Sequence, residues 1–193
     1  MLKPWIGRTW LRLFGWRTEG SIDHPKMVLI AAPHTTNWDL PFMLACSYAM
    51  GFKVQWLGKH TLFRPPFGWV MRALGGVPVD RRSRHNMVEQ AAALFRARER
   101  LILAVPPEGT RSRVDFWKSG FYHIARSAGV PIALGYLDFE RKVGGIGGYV
   151  FPSGNVREDM DKLRAFYADK RGKHPEQESV PRLRDEGGPA DGG

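Results

Sequence analysis

Residues 26–39 read KMVLIAAPHTTNWD, an apolar run that gives way to a polar turn carrying His34 and Asp39. The apolar run covers residues 27–33. That length suits a buried strand and is far below the roughly 20 residues that a membrane-spanning helix needs. A helical stretch follows at residues 40–50 and ends at Gly51, a typical helix terminator. This part of the chain therefore predicts a strand, a polar turn and a helix.

The same alternation continues along the chain. Apolar stretches rich in β-forming residues predict strands at 26–32, 53–57, 77–79, 101–105, 131–137 and 148–151, and helical stretches occur at 40–50, 67–74, 87–100, 117–128 and 156–170. A glycine-rich stretch at 144–148 predicts a hairpin or loop. Asn155, followed three residues later by Glu158, predicts the start of a helix. Repeated alternation is typical of an α/β fold with a mostly parallel sheet and helices on both faces.

The two ends of the chain differ from this central pattern. In residues 1–20 one helical face carries Leu2, Ile6, Trp10, Leu13 and Phe14, flanked by cations. This predicts an amphipathic helix at a membrane interface, or an ordinary helix packed on the domain, and the two are compatible. Residues 21–173 are the predicted domain. Residues 174–193 are rich in Glu, Pro and Gly without periodicity, so they predict a disordered tail.

Composition limits the class of protein. The chain has 193 residues, 43% of them apolar and 25% charged, which is typical of one globular domain rather than wholesale disorder. Its one cysteine, Cys46, excludes an intramolecular disulfide and a zinc site built from several cysteines. Because Cys46 lies in an apolar helical stretch, it is predicted to be a core residue and not a nucleophile. Cations spaced through the first 17 residues argue against a signal peptide.

The charge balance indicates an anionic partner. Lysine and arginine number 29 against 19 acidic residues, which gives a net charge of +10. Nucleic acid, an anionic membrane surface and phosphorylated substrates all remain open on charge alone.

Polar clusters follow three of the predicted strands: His34 with Asp39, Asp80 with Arg81, and the run Glu108-Gly109-Thr110-Arg111. The carboxyl ends of parallel strands meet at one sheet edge, so these clusters are expected to converge there. If the helix begins near residue 37 or 38, Asp39 can fold back onto His34. A carboxylate on one ring nitrogen fixes the tautomer and leaves the other nitrogen free to take a proton from a hydroxyl.

The run Glu108-Gly109-Thr110-Arg111, together with Arg81, suggests a binding site for an anion. Gly109 allows backbone to approach a ligand closely, and Arg111 offers a planar fork suited to phosphate. Arg81 could act in the same way from the neighbouring strand end. The alternative is an arginine–carboxylate network that only ties the loops together.

These clusters resemble the blocks of the glycerolipid acyltransferase family, of the 1-acylglycerol-3-phosphate acyltransferase type. His34-x4-Asp39, Gly76-Val77-Pro78-Val79-Asp80-Arg81, Glu108-Gly109-Thr110-Arg111-Ser112 and Gly129-Val130-Pro131-Ile132 are similar to its four blocks and stand in the same order. The fourth block departs from the family pattern at Leu134, where a proline is common. The resemblance implies the glycerol-3-phosphate acyltransferase-like α/β fold.

The resemblance also implies roles. His34 would be the general base on the acceptor hydroxyl and Asp39 would orient it, while Arg81, Glu108, Gly109, Thr110 and Arg111 would bind the acceptor. The acyl donor would be acyl-CoA or acyl carrier protein, the acceptor a lysophospholipid, and no metal or other cofactor would be needed. The protein is then expected to be cytoplasmic and peripherally attached to an anionic membrane surface.

Two other functions remain open from the sequence. A nucleic-acid-binding module would use the net charge and the Arg81-Arg82-Ser83-Arg84 run. However, no known nucleic-acid motif is present and the histidine and glutamate clusters would go unexplained, so no nucleic-acid partner is expected. A catalytically silent lipid-binding member of the same fold is the other alternative.

Overall fold

The computed structural model describes residues 2–79 and 84–186, which form a seven-stranded sheet between two layers of helices. The strands are β1 (Arg17–Glu19), β2 (Lys26–Ile30), β3 (Val54–Lys59), β4 (Gly76–Val79), β5 (Leu101–Val105), β6 (Ile132–Asp138) and β7 (Val143–Val150). The helices are α1 (Leu2–Leu13), α2 (Asp39–Ala49), α3 (Gly68–Ala73), α4 (Arg84–Arg96), α5 (Gly120–Ala128) and α6 (Val156–Tyr167). Short 3₁₀ helices occupy His60–Phe63, Pro175–Gln177 and Arg184–Glu186.

The strand order is β1-β7-β6-β2-β5-β3-β4. From β6 to β4 every neighbouring pair is parallel, whereas β7 runs antiparallel to β6 and β1 runs parallel to β7. The expected α/β fold with a mostly parallel sheet is therefore confirmed. Since β2 lies between β6 and β5, the polar turn after β2 lies near the middle of the edge formed by the carboxyl ends of the parallel strands.

Both faces of the central strands are buried. In β2, Val28 and Ile30 pack towards α4, α5 and α6, whereas Met27 and Leu29 pack towards α2. A strand covered on both faces has no solvent-facing side, which is why its sequence is a continuous apolar run and not an alternating one.

The glycine-rich stretch at 144–148 belongs to β7, so its prediction as a hairpin or loop is wrong. Close packing accounts for the glycines. A Cβ on Gly144 would lie 2.6 Å from the sulfur of Cys46 on α2, and one on Gly145 would collide with the carbonyl of Glu19 in β1. These residues are therefore needed to bring β7 close to α2 and β1, rather than to make a turn.

Helix starts were predicted with mixed success. The side chain of Asn155 accepts a hydrogen bond from the backbone N–H of Glu158 at 3.3 Å, which confirms the predicted start of α6. Helix α5 begins at Gly120, three residues later than expected. Helix α4 begins at Arg84, three residues earlier than expected.

Helix α1 is present; it packs on the domain and also keeps several apolar side chains exposed. It packs on α2 through Gly7, where a Cβ would lie 2.5 Å from the carbonyl oxygen of Ala45, and through the buried Leu11. Trp5, Ile6, Leu13 and Phe14 nevertheless stay exposed. The helix ends at Leu13, and β1 then joins the sheet edge, so residues 17–19 belong to the domain rather than to the N-terminal helix. No helix within the described residues is long and apolar enough to span a bilayer.

The predicted disordered tail from residue 174 is wrong for residues 174–186; the remaining residues of that prediction lie outside the described part of the chain. Leu183 is only 3% exposed and joins the core cluster on the α5–α6 face. The carbonyl of Arg182 accepts a 2.7 Å hydrogen bond from the N–H of Trp117, and Glu186 forms an ion pair with Arg164 on α6. A few such contacts hold a segment that has no periodic pattern of its own.

We predict that Leu183→Ala lowers the free energy of unfolding by about 2–3 kcal/mol, because it removes buried methyl groups and leaves a cavity. Val180→Ala is the matched control: Val180 belongs to the same segment but is 62% exposed, so a change below about 0.5 kcal/mol is expected. Urea unfolding of both variants measures the difference. Equal, small effects would mean that the segment does not pack on the core.

Candidate active site

The turn after β2 and the loop after β5 are held side by side by the sheet. The two strands pair in parallel up to Ile30 and Val105. Beyond them the backbone N–H of His34 donates a 3.2 Å hydrogen bond to Oε1 of Glu108. The predicted convergence of these two clusters is therefore seen directly.

Asp39 is the first residue of α2, and its carboxylate organises the turn before the helix. Its Oδ2 accepts from Nδ1 of His34 at 2.9 Å and from the backbone N–H groups of Thr35 and Thr36, both at 3.1 Å. Asp39, Thr35 and Thr36 are buried, while His34 keeps about a quarter of its side chain exposed. The turn thus brings His34 back over the start of the helix, as the five-residue spacing required.

The bond to Asp39 decides which ring nitrogen of His34 is available. A carboxylate can only accept hydrogen bonds, so Nδ1 must carry the proton. In the neutral imidazole the lone pair then lies on Nε2. No hydrogen bond joins Nε2 to any part of the chain that the structure describes. His34 can therefore accept a proton from a group placed at Nε2.

Glu108 is buried beneath the same loops, with 3% of its surface exposed. Burial is the main cause that raises the pKa of its carboxyl to about 7, and the hydrogen bond from His34 opposes the rise. Its Oε2 has no partner among the described residues. Glu108 therefore braces the His34 backbone from inside the protein.

A cavity of about 930 Å³ opens at His34 and runs under α2. Its polar lining residues include His34, Thr36, Asn37, Asp39, Arg111 and Lys118. A large share of the remaining lining is apolar and comes from α2, Met50 and β3, namely Leu40, Met43, Cys46, Met50, Trp56 and Leu57. The cavity thus combines polar groups around His34 with this apolar lining, which we call the apolar chamber.

Cys46 lies in the wall of this chamber as a buried core residue, as expected. Burial raises the pKa of its thiol to about 12. The thiol therefore stays protonated at neutral pH, which makes it a poor nucleophile.

The Glu108–Arg111 run divides between the cavity and its surroundings. Gly109 and Arg111 line the cavity, whereas Glu108 and Thr110 are not among its lining residues. Arg81, the remaining predicted binding residue, lies outside the described part of the chain. The roles assigned to all five residues stay predictions.

Arg111 lies in the loop after β5 and lines the cavity. Its guanidinium donates to the side-chain oxygen of Asn37, which links the two loops. It forms no ion pair with any carboxylate in the described ranges. Arg81, the other arginine of the alternative structural network, lies outside those ranges.

Lys118 is a cavity residue that the sequence reasoning missed. Its side chain lies against Gly109, which has a φ of +68°, and its backbone N–H donates to the carbonyl of Pro107 at 2.8 Å. A Cβ at position 109 would collide with the Lys118 side chain, so the glycine makes room for this second cation. No sequence pattern hinted at this role, because Lys118 lies inside the predicted helix 117–128, whereas α5 begins only at Gly120.

The C-terminal segment also reaches this site. The backbone N–H of His174 donates to the hydroxyl of Thr35 at 3.2 Å. Oriented with its nitrogen towards them, the amide of Gln177 donates to the carbonyls of Thr35 and Arg111 at 3.1 and 2.6 Å. Gln177 therefore joins the two loops from outside, which no sequence motif indicated.

No group of three or more His, Cys, Asp or Glu side chains in residues 2–79 and 84–186 is arranged to hold a metal ion. The chemistry that these residues can provide themselves is proton transfer at His34 and binding of an anionic ligand at Arg111 and Lys118.

Comparison with known proteins gives consistent matches. A family model described as Acyltransferase matches residues 17–133. The 1-acyl-sn-glycerol-3-phosphate acyltransferase of Haemophilus influenzae is 33% identical over 139 residues, covering 66% of this chain and 56% of that protein. The enzyme of the same name from Salmonella typhimurium is 30% identical over 130 residues, covering 62% and 52%. The chain thus spans about half the length of the curated relatives it matches.

A solved structure shows the same fold. The crystal structure of the 1-acyl-sn-glycerophosphate acyltransferase from Thermotoga maritima superposes with a TM-score of 0.57 at 20% identity. The match covers 86% of this chain and 73% of the other.

We predict that Glu108 makes stability fall as pH rises. Its pKa in the fold, about 7, lies above the ordinary 4.5, so between these values the folded chain binds more protons than the unfolded chain. This stabilisation is fully present below pH 4.5 and is lost as pH rises through about 7. At about 1.4 kcal/mol per pKa unit, the free energy of unfolding falls by about 3 kcal/mol. Glu108→Gln should remove this part of the pH dependence.

Urea unfolding at about pH 5 and about pH 8 measures the effect as the difference between wild type and variant. Glu99→Gln, at an exposed glutamate, is the control and should keep the wild-type dependence. A Glu108→Gln chain with the same pH dependence as wild type would contradict the raised pKa.

Proposed function

The chain belongs to the acyltransferase family, and on that premise we propose that it moves a fatty acyl chain from a thioester to the hydroxyl of a lysophospholipid. The donor is acyl-CoA or acyl carrier protein, and 1-acylglycerol-3-phosphate is the acceptor that the relatives' names suggest. The observation that carries the proposal is His34, held by Asp39 at the junction between a cationic rim and an apolar chamber.

His34 acts as the general base in this proposal. The acceptor hydroxyl approaches Nε2, which takes its proton as the oxygen attacks the thioester carbonyl. The new carbon–oxygen bond forms and the carbon–sulfur bond breaks. The proton on Nε2 then passes to the leaving thiolate, so His34 ends in its starting state. Asp39 keeps the ring orientation and tautomer through both steps and stabilises the transient positive charge.

The apolar chamber is suited to a fatty acyl chain. Leu40, Met43, Met50 and Trp56 offer hydrocarbon surface under α2, and the chamber leads back to His34. Each methylene transferred from water to such surroundings gains about 0.8 kcal/mol, so even a partly buried chain would be held firmly. A thioester with its chain in the chamber would have its carbonyl near the polar end.

The cationic rim is suited to the phosphate of the acceptor. Arg111 and Lys118 both line the cavity beside His34. Arg111 can bind a phosphate through two parallel hydrogen bonds, and Lys118 adds a second positive charge. Gly109, exposed and in the left-handed region of φ, presents bare backbone at the same place. We retain Arg81 as a further binding residue on the strength of the motif alone.

Attachment to a membrane surface is part of the proposal. The exposed apolar residues of α1 stand beside the cations Lys3, Arg8 and Arg12. Such a helix can place its apolar side chains among lipids while its cations meet anionic head groups. The net charge of +10 acts in the same direction. The cytoplasmic leaflet, which carries the anionic lipids, is the surface we expect it to use.

We predict that His34→Ala lowers turnover by at least about 10²-fold, the usual contribution of a general base, while the fold stays intact. The assay follows radiolabelled acyl transfer from acyl-CoA, and then from acyl carrier protein, to a panel of lysophospholipids in liposomes. His123→Ala, at an exposed histidine on α5, is the matched control and should keep wild-type turnover.

Circular dichroism of each variant confirms that it is folded. A folded His34→Ala chain with most of its activity would contradict the mechanism. A folded wild-type chain that is inactive with every donor and acceptor would instead favour the catalytically silent lipid-binding alternative.

A further inference from the structure

A second exposed apolar surface lies far from α1 in the sequence. It belongs to residues 60–73, which comprise the 3₁₀ helix His60–Phe63, a turn and helix α3. We call this stretch the 60–73 segment. Its Leu62, Phe67 and Trp69 are 50%, 68% and 72% exposed. Large apolar side chains grouped on a surface usually mark a binding face for a partner or a membrane.

The segment is firmly anchored, so this exposure is not that of a loose loop. Phe63 is buried, and its ring fills the space over Gly58 and Gly76, where a Cβ would lie 2.8 Å from it. The backbone N–H of Gly68 donates to the carbonyl of Arg64 at 2.9 Å. Phe63 thus packs inwards, whereas the other two aromatic side chains of the segment, Phe67 and Trp69, are exposed.

Every charged residue in the sequence around the segment, from residue 40 to residue 79, is a cation. From residue 40 to residue 79 the chain contains no Asp or Glu, but it contains Lys53, Lys59, Arg64 and Arg72. All four cations are exposed, and none pairs with a carboxylate in the part of the chain that the structure describes. Exposed aromatic and aliphatic side chains among cations that pair with no carboxylate complement a bilayer with anionic head groups.

The segment also reaches the cavity. Its Leu62 lines the cavity together with Leu40 of α2, and both side chains are partly exposed to solvent. Trp56, which contacts Phe63 of the segment, packs in the same cluster as Leu44 of α2. The 60–73 segment and the α1–α2 pair therefore lie on the same face of the sheet, with the cavity between them.

We propose that the 60–73 segment is a second membrane-contacting element, which inserts Phe67, Trp69 and Leu62 into an anionic bilayer beside the cavity. The membrane contact stands on the exposed residues and charges alone. The consequence that a lipid chain passes from the bilayer into the cavity past Leu62 rests on the proposed function.

A single cysteine probe tests the contact directly. Cys46 is buried, so an exposed cysteine introduced elsewhere can be labelled selectively with nitrobenzoxadiazole. Full-length Phe67→Cys is labelled and mixed with vesicles of phosphatidylglycerol and phosphatidylcholine in equal parts, and with phosphatidylcholine vesicles alone. The matched control is Phe151→Cys, a 60% exposed phenylalanine just after β7, which lies four strands away from β3 in the sheet.

The proposal predicts a blue shift and a several-fold rise in emission at position 67 with the anionic vesicles, and no change at position 151. Phe67→Ser with Trp69→Ser should weaken vesicle co-sedimentation at least tenfold, while Phe151→Ser stays within twofold of wild type. Introducing His34→Ala should leave vesicle binding unchanged, so a failure of the catalytic proposal is distinguishable from a failure of this one.

Two outcomes would overturn the proposal. One is a label at position 67 whose emission does not shift to the blue although the protein sediments with the vesicles. The other is a blue shift that depends on protein concentration without vesicles, which would assign the surface to a second copy of the chain.

Discussion

The carboxylate of Asp39 is the constraint on which the candidate active site depends. One oxygen accepts three hydrogen bonds, from the His34 ring and from the backbones of Thr35 and Thr36. These bonds close the turn that leads into helix α2 and fix the ring of His34 at the same time. The site therefore needs no separate support for its histidine, because the residue that orients the ring also shapes the loop that carries it.

The sheet brings the other parts to this turn. Parallel pairing of β2 with β5 places Glu108 beneath His34 and delivers Gly109 and Arg111 to the rim of the cavity. The helices on one face then add an apolar chamber, and exposed apolar side chains lie on α1 and on the 60–73 segment. Proton transfer, anion binding and contact with lipid would thus occur on one side of the molecule, as a reaction between a lipid and a thioester requires.

Local patterns made the centre of this arrangement predictable from the sequence. His34 and Asp39 follow an apolar strand at a spacing that allows contact only across a turn, and Asn155 with Glu158 marks a helix start within four residues. The missed features depend on distant partners. Strand β1 has three residues and exists because β7 accepts it, and the β7 glycines reflect contacts with Cys46 and Glu19. Gln177 and Leu183 are held by loops and core residues far away in sequence, so composition alone suggested a disordered tail.

The most direct test of this account is the tautomer of His34, read from the ¹⁵N chemical shifts of its two ring nitrogens. The labelled full-length chain is compared with His34→Ala to assign the signals, at a pH where the imidazole is neutral. The account predicts a protonated Nδ1 and an unprotonated Nε2, and a mixture of tautomers once Asp39→Asn replaces the carboxylate. A protonated Nε2 in the wild-type chain would contradict it, because no lone pair would then face the acceptor hydroxyl.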